Sequence, residues 1–94
     1  MTTPSAEGAD ARSIAEDVAR LRWQCRRGML ELDLLLNRYL DSGFQRLDQQ
    51  ARVDFVRLLG YQDQIIYDWL MGQSVPTEAA LRRLVAQIRE AMRP

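Results

Sequence analysis

The carboxyl-terminal segment carries the clearest periodic pattern in the chain. Its apolar residues recur every three or four positions, as residues on one side of an α-helix do: Leu81, Leu84, Val85, Ile88 and Met92. The preceding Val75-Pro76-Thr77-Glu78 predicts the start of this helix, with Thr77 as its N-cap. No segment shows the strand-like alternation that would compete with helix, so the pattern favours an all-α fold.

Four further segments follow the same periodicity and are separated by turn-forming residues. We predict helices from Arg12 or Ser13 to Arg26 (capped by Ser13 with Glu16), from Met29 to Asp41, from Asp48 to Leu59, and from the N-cap Asp63 to Gly72. The second is apolar on most sides, which predicts a position in the middle of the bundle. Short connections favour antiparallel neighbours, so we expect a compact five-helix bundle over residues 12–94. Residues 1–11 are small and polar, and we expect a disordered tail there.

Several classes of function are disfavoured by composition. Thirteen acidic residues balance 13 basic residues, all of them Arg, whereas a general nucleic-acid binder carries excess positive charge. The chain has no His and one Cys, so a His-based triad, a His/Cys zinc site and an internal disulfide lack their residues. No apolar run is long enough to span a membrane, and no targeting segment is recognisable, so we expect a bacterial cytosolic protein.

The most unusual segment lies between the first two predicted helices. Arg27 stands just before Gly28 at the predicted corner, and Glu31 follows in the first helical turn, where a negative charge is favoured. Gly28 can take positive φ and let another backbone approach closely. We therefore expect Arg27 and Glu31 side by side in solvent, so that replacing either leaves the melting temperature nearly unchanged. The alternative is an ordinary exposed salt bridge with no role in binding.

Three other residues in and near this segment leave alternatives open at this stage. Trp23 is either a core residue or a contact residue, and Asp33 either assists docking or merely faces solvent. Cys25 falls on the apolar stripe of the first helix and is predicted to be a small buried residue, as is Trp69 further along the chain. Helices three and four, joined through Gly60, could imitate a helix-turn-helix, but the fourth carries Asp63 and Asp68 and would be a poor recognition helix.

A longer string around the corner resembles a known family. Residues 23–36, Trp-Gln-Cys-Arg-Arg-Gly-Met-Leu-Glu-Leu-Asp-Leu-Leu-Leu, are similar to the signature of the succinate dehydrogenase FAD assembly factors, also called succinate dehydrogenase assembly factor 2. The Arg-Gly-x-x-Glu hallmark of that family corresponds to Arg27, Gly28 and Glu31. The resemblance continues through Phe55-Val-Arg-Leu-Leu59 and Tyr67-Asp-Trp-Leu-Met-Gly72, and covers about residues 20–92.

The resemblance implies a non-enzymatic helper that binds the flavoprotein subunit of succinate dehydrogenase, and in bacteria of fumarate reductase. Such a helper promotes covalent attachment of FAD to a client His and holds no FAD or metal stably itself. The hallmark residues Arg27, Gly28 and Glu31 are then client-binding, and Arg22, Trp23 and Asp33 are candidates to extend that surface. We expect a monomer that binds neither nucleic acid nor membrane. The competing interpretation is a generic helical interaction module with a different client.

Overall fold

Residues 15–93 are described by the computed structural model, and their regular secondary structure is entirely helical. The α-helices are α1 (Val18–Gln24), α2 (Leu30–Ser42), α3 (Gln49–Leu58), α4 (Asp63–Leu70) and α5 (Ala79–Met92), with a 3₁₀ turn at Phe44–Arg46. This arrangement confirms the predicted five-helix, all-α class. The predicted disordered tail over residues 1–11 and the predicted cap Ser13 lie outside the described residues.

The predicted carboxyl-terminal stripe forms the centre of the core. Helix α5 packs against α2, α3 and α4, and it buries Leu81, Leu84, Val85 and Ile88. In the same core cluster, the ring of Phe55 contacts the rings of Tyr39 and Phe44, with centroid distances of 5.8 and 5.4 Å. The Cα radius of gyration is 12.8 Å, close to the ~13 Å expected of a compact chain of about 100 residues.

Helix starts agree with the sequence prediction at one place and differ at three. Asp48 caps α3, where its carboxylate accepts from the Ala51 N–H at 2.8 Å. The predicted first helix is interrupted, because Ala15 is helical but Asp17 is extended and caps α1 through the Arg20 N–H, and the predicted start at Arg12 or Ser13 lies outside the described residues. The N-cap positions of α4 and α5 are Gln62 and Glu78, without side-chain caps, so the predicted caps Asp63 and Thr77 are wrong.

Helix α2 is only half enclosed, contrary to the predicted central position. One side is buried through Leu32, Leu36, Tyr39 and Leu40. On the other side, the side chains of Leu30 and Leu34 are 69% and 60% exposed. The prediction was wrong because no described helix covers that second side, and α2 therefore presents leucines to solvent beside the corner that joins it to α1.

Candidate functional site

The corner between α1 and α2 is built around an Arg27 side chain that points inward. Its Nε donates to Asp63 at 2.8 Å, its Nη1 to the Gln24 carbonyl at 2.9 Å, and its Nη2 to the Tyr61 carbonyl at 3.0 Å. Only 13% of the side chain is exposed. The expectation that Arg27 faces solvent beside Glu31 is therefore wrong, because the first turn of α4 and the preceding loop supply acceptors that α1 and α2 do not have.

Asp63, in the first turn of α4, binds residues of the corner between α1 and α2. Besides the Arg27 guanidinium, its carboxylate accepts from the Met29 N–H at 3.2 Å. Desolvation by burial raises the pKa of Asp63, but the hydrogen bonds from Arg27 and Met29 outweigh it and hold the pKa below its ordinary value. The residue predicted to cap α4 instead joins the amino-terminal end of that helix to the α1–α2 corner.

Asp33 secures the corner from the α2 side. Its Oδ2 accepts from the backbone N–H of Arg27 at 3.0 Å, and its Oδ1 accepts from Asn37 at 3.1 Å. The Asn37 amide also donates to the Cys25 carbonyl at 3.3 Å. Of the two alternatives left by the sequence, neither describes Asp33 fully, since its carboxylate is engaged within the protein. We call Arg27, Asp33 and Asp63 the inner side of the corner.

Gly28 is exposed at the tip of this corner and does not use the freedom that glycine offers. Its φ is not positive, unlike that of Gly72, where φ is 80°. A Cβ added at Gly28 would lie 3.9 Å from an Asp63 carboxylate oxygen, which is ordinary van der Waals contact. Gly28 thus does not adopt the positive φ that a glycine allows, and the fold itself has room for a methyl group at this position.

Glu31 is exposed, and a residue from α4 holds its carboxylate in place. The Tyr67 hydroxyl donates to Glu31 Oε1 at 3.0 Å, linking helices whose residues are 36 positions apart. This hydrogen bond to a carboxylate raises the pKa of Tyr67 above its ordinary value. A shallow cleft of about 330 Å³ adjoins the pair and is lined by Glu31, Leu34, Leu35, Arg38, Tyr67 and Met71.

Trp23 and Arg26 form the other exposed part of the corner. Trp23 is 68% exposed, which rules out the core alternative that the sequence left open. The Arg26 guanidinium lies 5.2 Å from the centroid of the indole ring, within the range of a cation–π interaction. A cleft of about 590 Å³ beside them is lined by Ala19, Arg22, Trp23, Arg26, Asp33 and Asn37. In it Arg22 bonds to Asn37 and to Asp41.

The exposed leucines of α2 join these two parts into one surface. At about 100° per residue, Leu30 and Leu34 lie between Asp33, which borders the Trp23 cleft, and Glu31, which borders the Tyr67 cleft. We call Trp23, Arg26, Leu30, Glu31 and Leu34 the outer face of the corner.

Sequence reasoning missed four residues that belong to this surface or support it. They are Arg26, Leu30, Leu34 and Tyr67. A stricter use of helical period would have found the leucines, because they sit on the opposite side of α2 from the buried Leu32 and Leu36. Tyr67 lies in the string 67–72 that resembles the family, but nothing local in the sequence indicates that its hydroxyl reaches Glu31, because that contact depends on how α4 packs against α2.

Other chemically active residue types do not contribute to the corner surface. Cys25 is fully buried, and burial raises the pKa of its thiol to about 12, which confirms the predicted small core residue. Trp69 is buried as predicted and packs edge-on against Tyr61. Within residues 15–93, no group of three or more His, Cys, Asp or Glu is placed to hold a metal ion.

Among the described helices, none is both long enough and apolar enough to cross a bilayer.

Comparison with known proteins gives a consistent set of relatives. Residues 19–92 match the family described as "Flavinator of succinate dehydrogenase". The chain is 42% identical to the FAD assembly factor SdhE of Shewanella oneidensis over 78 residues, which cover 83% of this chain and 95% of the relative. The SdhE proteins of Coxiella burnetii and Legionella pneumophila are 38% and 45% identical over 71 residues, covering 76% of this chain and 87% and 89% of the relatives.

Proposed function

Because the chain belongs to the family of flavinators of succinate dehydrogenase, we propose that it binds the flavoprotein subunit of that enzyme and promotes covalent attachment of FAD. The flavoprotein subunit of fumarate reductase is a second client under the same proposal. One copy of the chain acts on one client, and the cofactor belongs to the client rather than to the helper.

The outer face of the corner is the observation that carries this proposal. It combines an exposed indole, an exposed guanidinium, two exposed leucines and a carboxylate. Trp and Arg are enriched among the residues that dominate binding energy at protein interfaces, and exposed apolar side chains gain free energy when a partner removes them from water. A client that covered this face would bury Leu30 and Leu34, which the described part of the chain leaves in solvent.

The inner side of the corner supports the proposal by making the outer face rigid. Arg27 and Asp33 hold the corner backbone, and Asp63 anchors it to α4. A surface fixed before binding loses less conformational entropy when the partner docks, and this raises affinity without any new contact. Within the hallmark, Gly28 and Glu31 then contact the client directly, whereas Arg27 positions them.

The residues flanking the hallmark divide in the same way. Trp23 contacts the client as part of the outer face. Arg22 and Asp33 act as positioning residues, since each side chain is engaged by neighbours in the fold: Arg22 by Asn37 and Asp41, and Asp33 by Arg27 and Asn37. All six sequence candidates thus belong to one surface or to its support.

The chemistry of flavinylation is compatible with a helper that has no catalytic group of its own. The bond forms between the flavin and a client His, and the flavin supplies the electrophile. The helper needs only to hold the client in a geometry that favours attack, and positioning alone can lower a barrier by several kcal/mol. The chain has no His, and its one Cys is buried, so neither offers an exposed nucleophile or base at the corner.

A deletion strain tests the function directly. Covalent FAD stays with the denatured flavoprotein and fluoresces on a gel, so the client can be followed with and without this chain. We expect weak client fluorescence in the deletion strain, restoration by the unchanged chain, and little restoration by Trp23→Ala or Glu31→Ala. The control Gln64→Ala replaces an exposed residue of α4 whose one side-chain hydrogen bond within residues 15–93 is to Asp68, and it should restore flavinylation fully.

Two results would contradict the proposal. One is normal client fluorescence in the deletion strain, together with no recovery of the chain when the tagged flavoprotein is purified. The other is full restoration by variants that have lost the whole outer face. The first result favours an interaction module with another client, and the second moves the docking surface elsewhere on the bundle. Succinate dehydrogenase and fumarate reductase flavoproteins are assayed in parallel, so a preference for either is read from the same gel.

A further inference from the structure

The hallmark Arg27 has little capacity left for a partner. Three of its nitrogen atoms donate to acceptors within the chain, and its side chain is 13% exposed. A client carboxylate could reach this guanidinium only by displacing Asp63 or a backbone carbonyl. Breaking a partly buried, hydrogen-bonded pair of this kind costs free energy that the new contact would have to recover.

Its neighbour Arg26, in contrast, is exposed and keeps the capacity to bind a partner. The side chain is exposed, and within residues 15–93 no carboxylate forms a salt bridge or hydrogen bond with it. Its guanidinium lies over the Trp23 ring, 5.2 Å from the centroid. Stacking on an aromatic face orients the planar group and leaves its N–H edge available, and this geometry suits bidentate binding of a carboxylate.

The cleft beside Arg26 gives a bound carboxylate a defined place. The other cation lining it, Arg22, already pairs with Asp41 and bonds to Asn37. Asp33 also lines the cleft, but both of its oxygens accept hydrogen bonds, from the Arg27 backbone and from Asn37. Of the two cations that line the cleft, Arg26 is therefore the one without a carboxylate partner within residues 15–93, and the Asp33 carboxylate keeps its negative charge while both of its oxygens are engaged by neutral donors.

We propose that Arg26, stacked on Trp23, is the cation of the corner that binds the client, and that it takes an Asp or Glu side chain of the flavoprotein in the cleft beside it. The inference rests on the proposed function and adds a binding residue to it. It also separates the roles of two adjacent arginines: Arg27 builds the corner, and Arg26 binds the partner.

The test compares Arg26 variants in binding to the purified flavoprotein subunit without FAD, so that no flavin phosphate is present. We expect Arg26→Ala to raise Kd about tenfold, the size typical of an interface residue that matters, and Arg26→Glu to raise it further. Arg26→Lys keeps the charge but loses the planar fork, and should fall between Ala and the unchanged chain. The dependence of Kd on salt should weaken in Arg26→Ala.

The matched control is Arg83→Ala, which removes an exposed arginine of α5 for which no ion pair appears within residues 15–93. It should leave Kd within about twofold, because an isolated exposed charge far from an interface contributes little. Thermal melting of each variant is measured first, and none should differ from the unchanged chain.

Two outcomes would overturn the proposal while leaving the function in place. In the first, Arg26→Ala binds the FAD-free client as tightly as the unchanged chain, while Trp23→Ala and Glu31→Ala do not. In the second, Arg26→Ala weakens binding only when FAD is present, which would make the cleft a phosphate site. If instead no variant affects Kd and the deletion strain flavinylates normally, the proposed function itself fails.

Discussion

Arg26 and Arg27 are neighbours in the sequence, yet their guanidinium groups meet different surroundings. Arg27 reaches across the corner to Asp63 and to two backbone carbonyls, and 13% of its side chain remains exposed. Arg26 lies on the exposed Trp23 ring. The inner side of the corner thus resembles a small polar core, whereas the outer face resembles an interface that lacks its partner.

The difference shows how two adjacent residues of one type can meet different physical demands. A partly buried, well-bonded charge stabilises local backbone geometry, and removing one partner leaves the other unsatisfied. Exposed charged and aromatic groups contribute little to folding and are available to a partner. Substitutions on the inner side should therefore change stability first, and substitutions on the outer face should change binding alone.

The largest effect is expected for Arg27→Ala. Loss of a guanidinium that donates to Asp63 and two carbonyls should lower the free energy of unfolding by about 2–3 kcal/mol, since each acceptor loses a charged donor. For a domain of this size the melting temperature should then fall by about 10–20 °C. Circular dichroism melting checks this, and Arg26→Ala is the control that should not move. An unchanged melting temperature for Arg27→Ala would mean that its guanidinium is free in solution.

We expect low pH to destabilise the inner side of the corner. The pKa of Asp63 is held below its ordinary value in the folded state, so its contribution to stability is complete at neutral pH and is lost as pH falls through the folded-state pKa. We expect Asp63→Asn to cost about 1–2 kcal/mol at pH 7 and to flatten the loss of stability below about pH 4.

The control for the acid experiment is Asp68→Asn on the same helix, where the carboxylate accepts from the exposed Gln64 amide. Asp68→Asn should leave the loss of stability at low pH the same as in the unchanged chain. If Asp63→Asn and the unchanged chain lose stability in parallel as the pH falls, Asp63 does not carry the inner side of the corner.

Gly28 and Gly72 allow stability to be separated from client binding, because only Gly72 is expected to need glycine for the fold. At Gly72, φ is 80° and an added Cβ would lie 2.7 Å from the Arg89 guanidinium, so Gly72→Ala should cost about 1–2 kcal/mol. At Gly28 there is room for a Cβ and no positive φ, so Gly28→Ala should change stability by less than about 0.5 kcal/mol. If the client backbone approaches Gly28, the methyl group should still impair client flavinylation. Normal flavinylation by a stable Gly28→Ala would remove Gly28 from the interface.

Most of the fold was accessible from the sequence because helical period is a local property. The stripe of α5 and the cap Asp48 both follow from residues within a few positions of one another. The error at Asp63 has a tertiary cause: a polar residue near a helix start caps that helix only if nothing else in the fold competes for its side chain. The Asp63 carboxylate accepts a hydrogen bond from Arg27, which lies 36 residues earlier. No local sequence pattern could have predicted this contact.

The sequence pointed to the corner segment as the candidate site, but it placed the Arg27 guanidinium in solvent, whereas the structure bonds it within the fold. Residue type cannot separate Arg26 from Arg27, since both follow α1 directly and carry the same group. The separation is made by α4, whose first turn and preceding loop supply acceptors to one side of the corner only. The hallmark therefore marks the position of the corner in the sequence, while tertiary packing determines which of its side chains point outward.

The smallest expected effect concerns Tyr67, which belongs to the support of the outer face. Its hydroxyl donates to Glu31 at 3.0 Å. Because this hydrogen bond is exposed to solvent, Tyr67→Phe should barely change the free energy of unfolding. If the bond positions the Glu31 carboxylate for the client, Tyr67→Phe should raise Kd a few-fold in the unchanged chain and have no effect when Glu31 is already Ala. Tyr61→Phe is the matched control, because the backbone carbonyl of Tyr61 accepts from Arg27 and stays in place when the hydroxyl is removed. Equal effects of Tyr67→Phe with and without the Glu31 carboxylate would show that Tyr67 acts independently of Glu31, and that α4 does not position the Glu31 carboxylate.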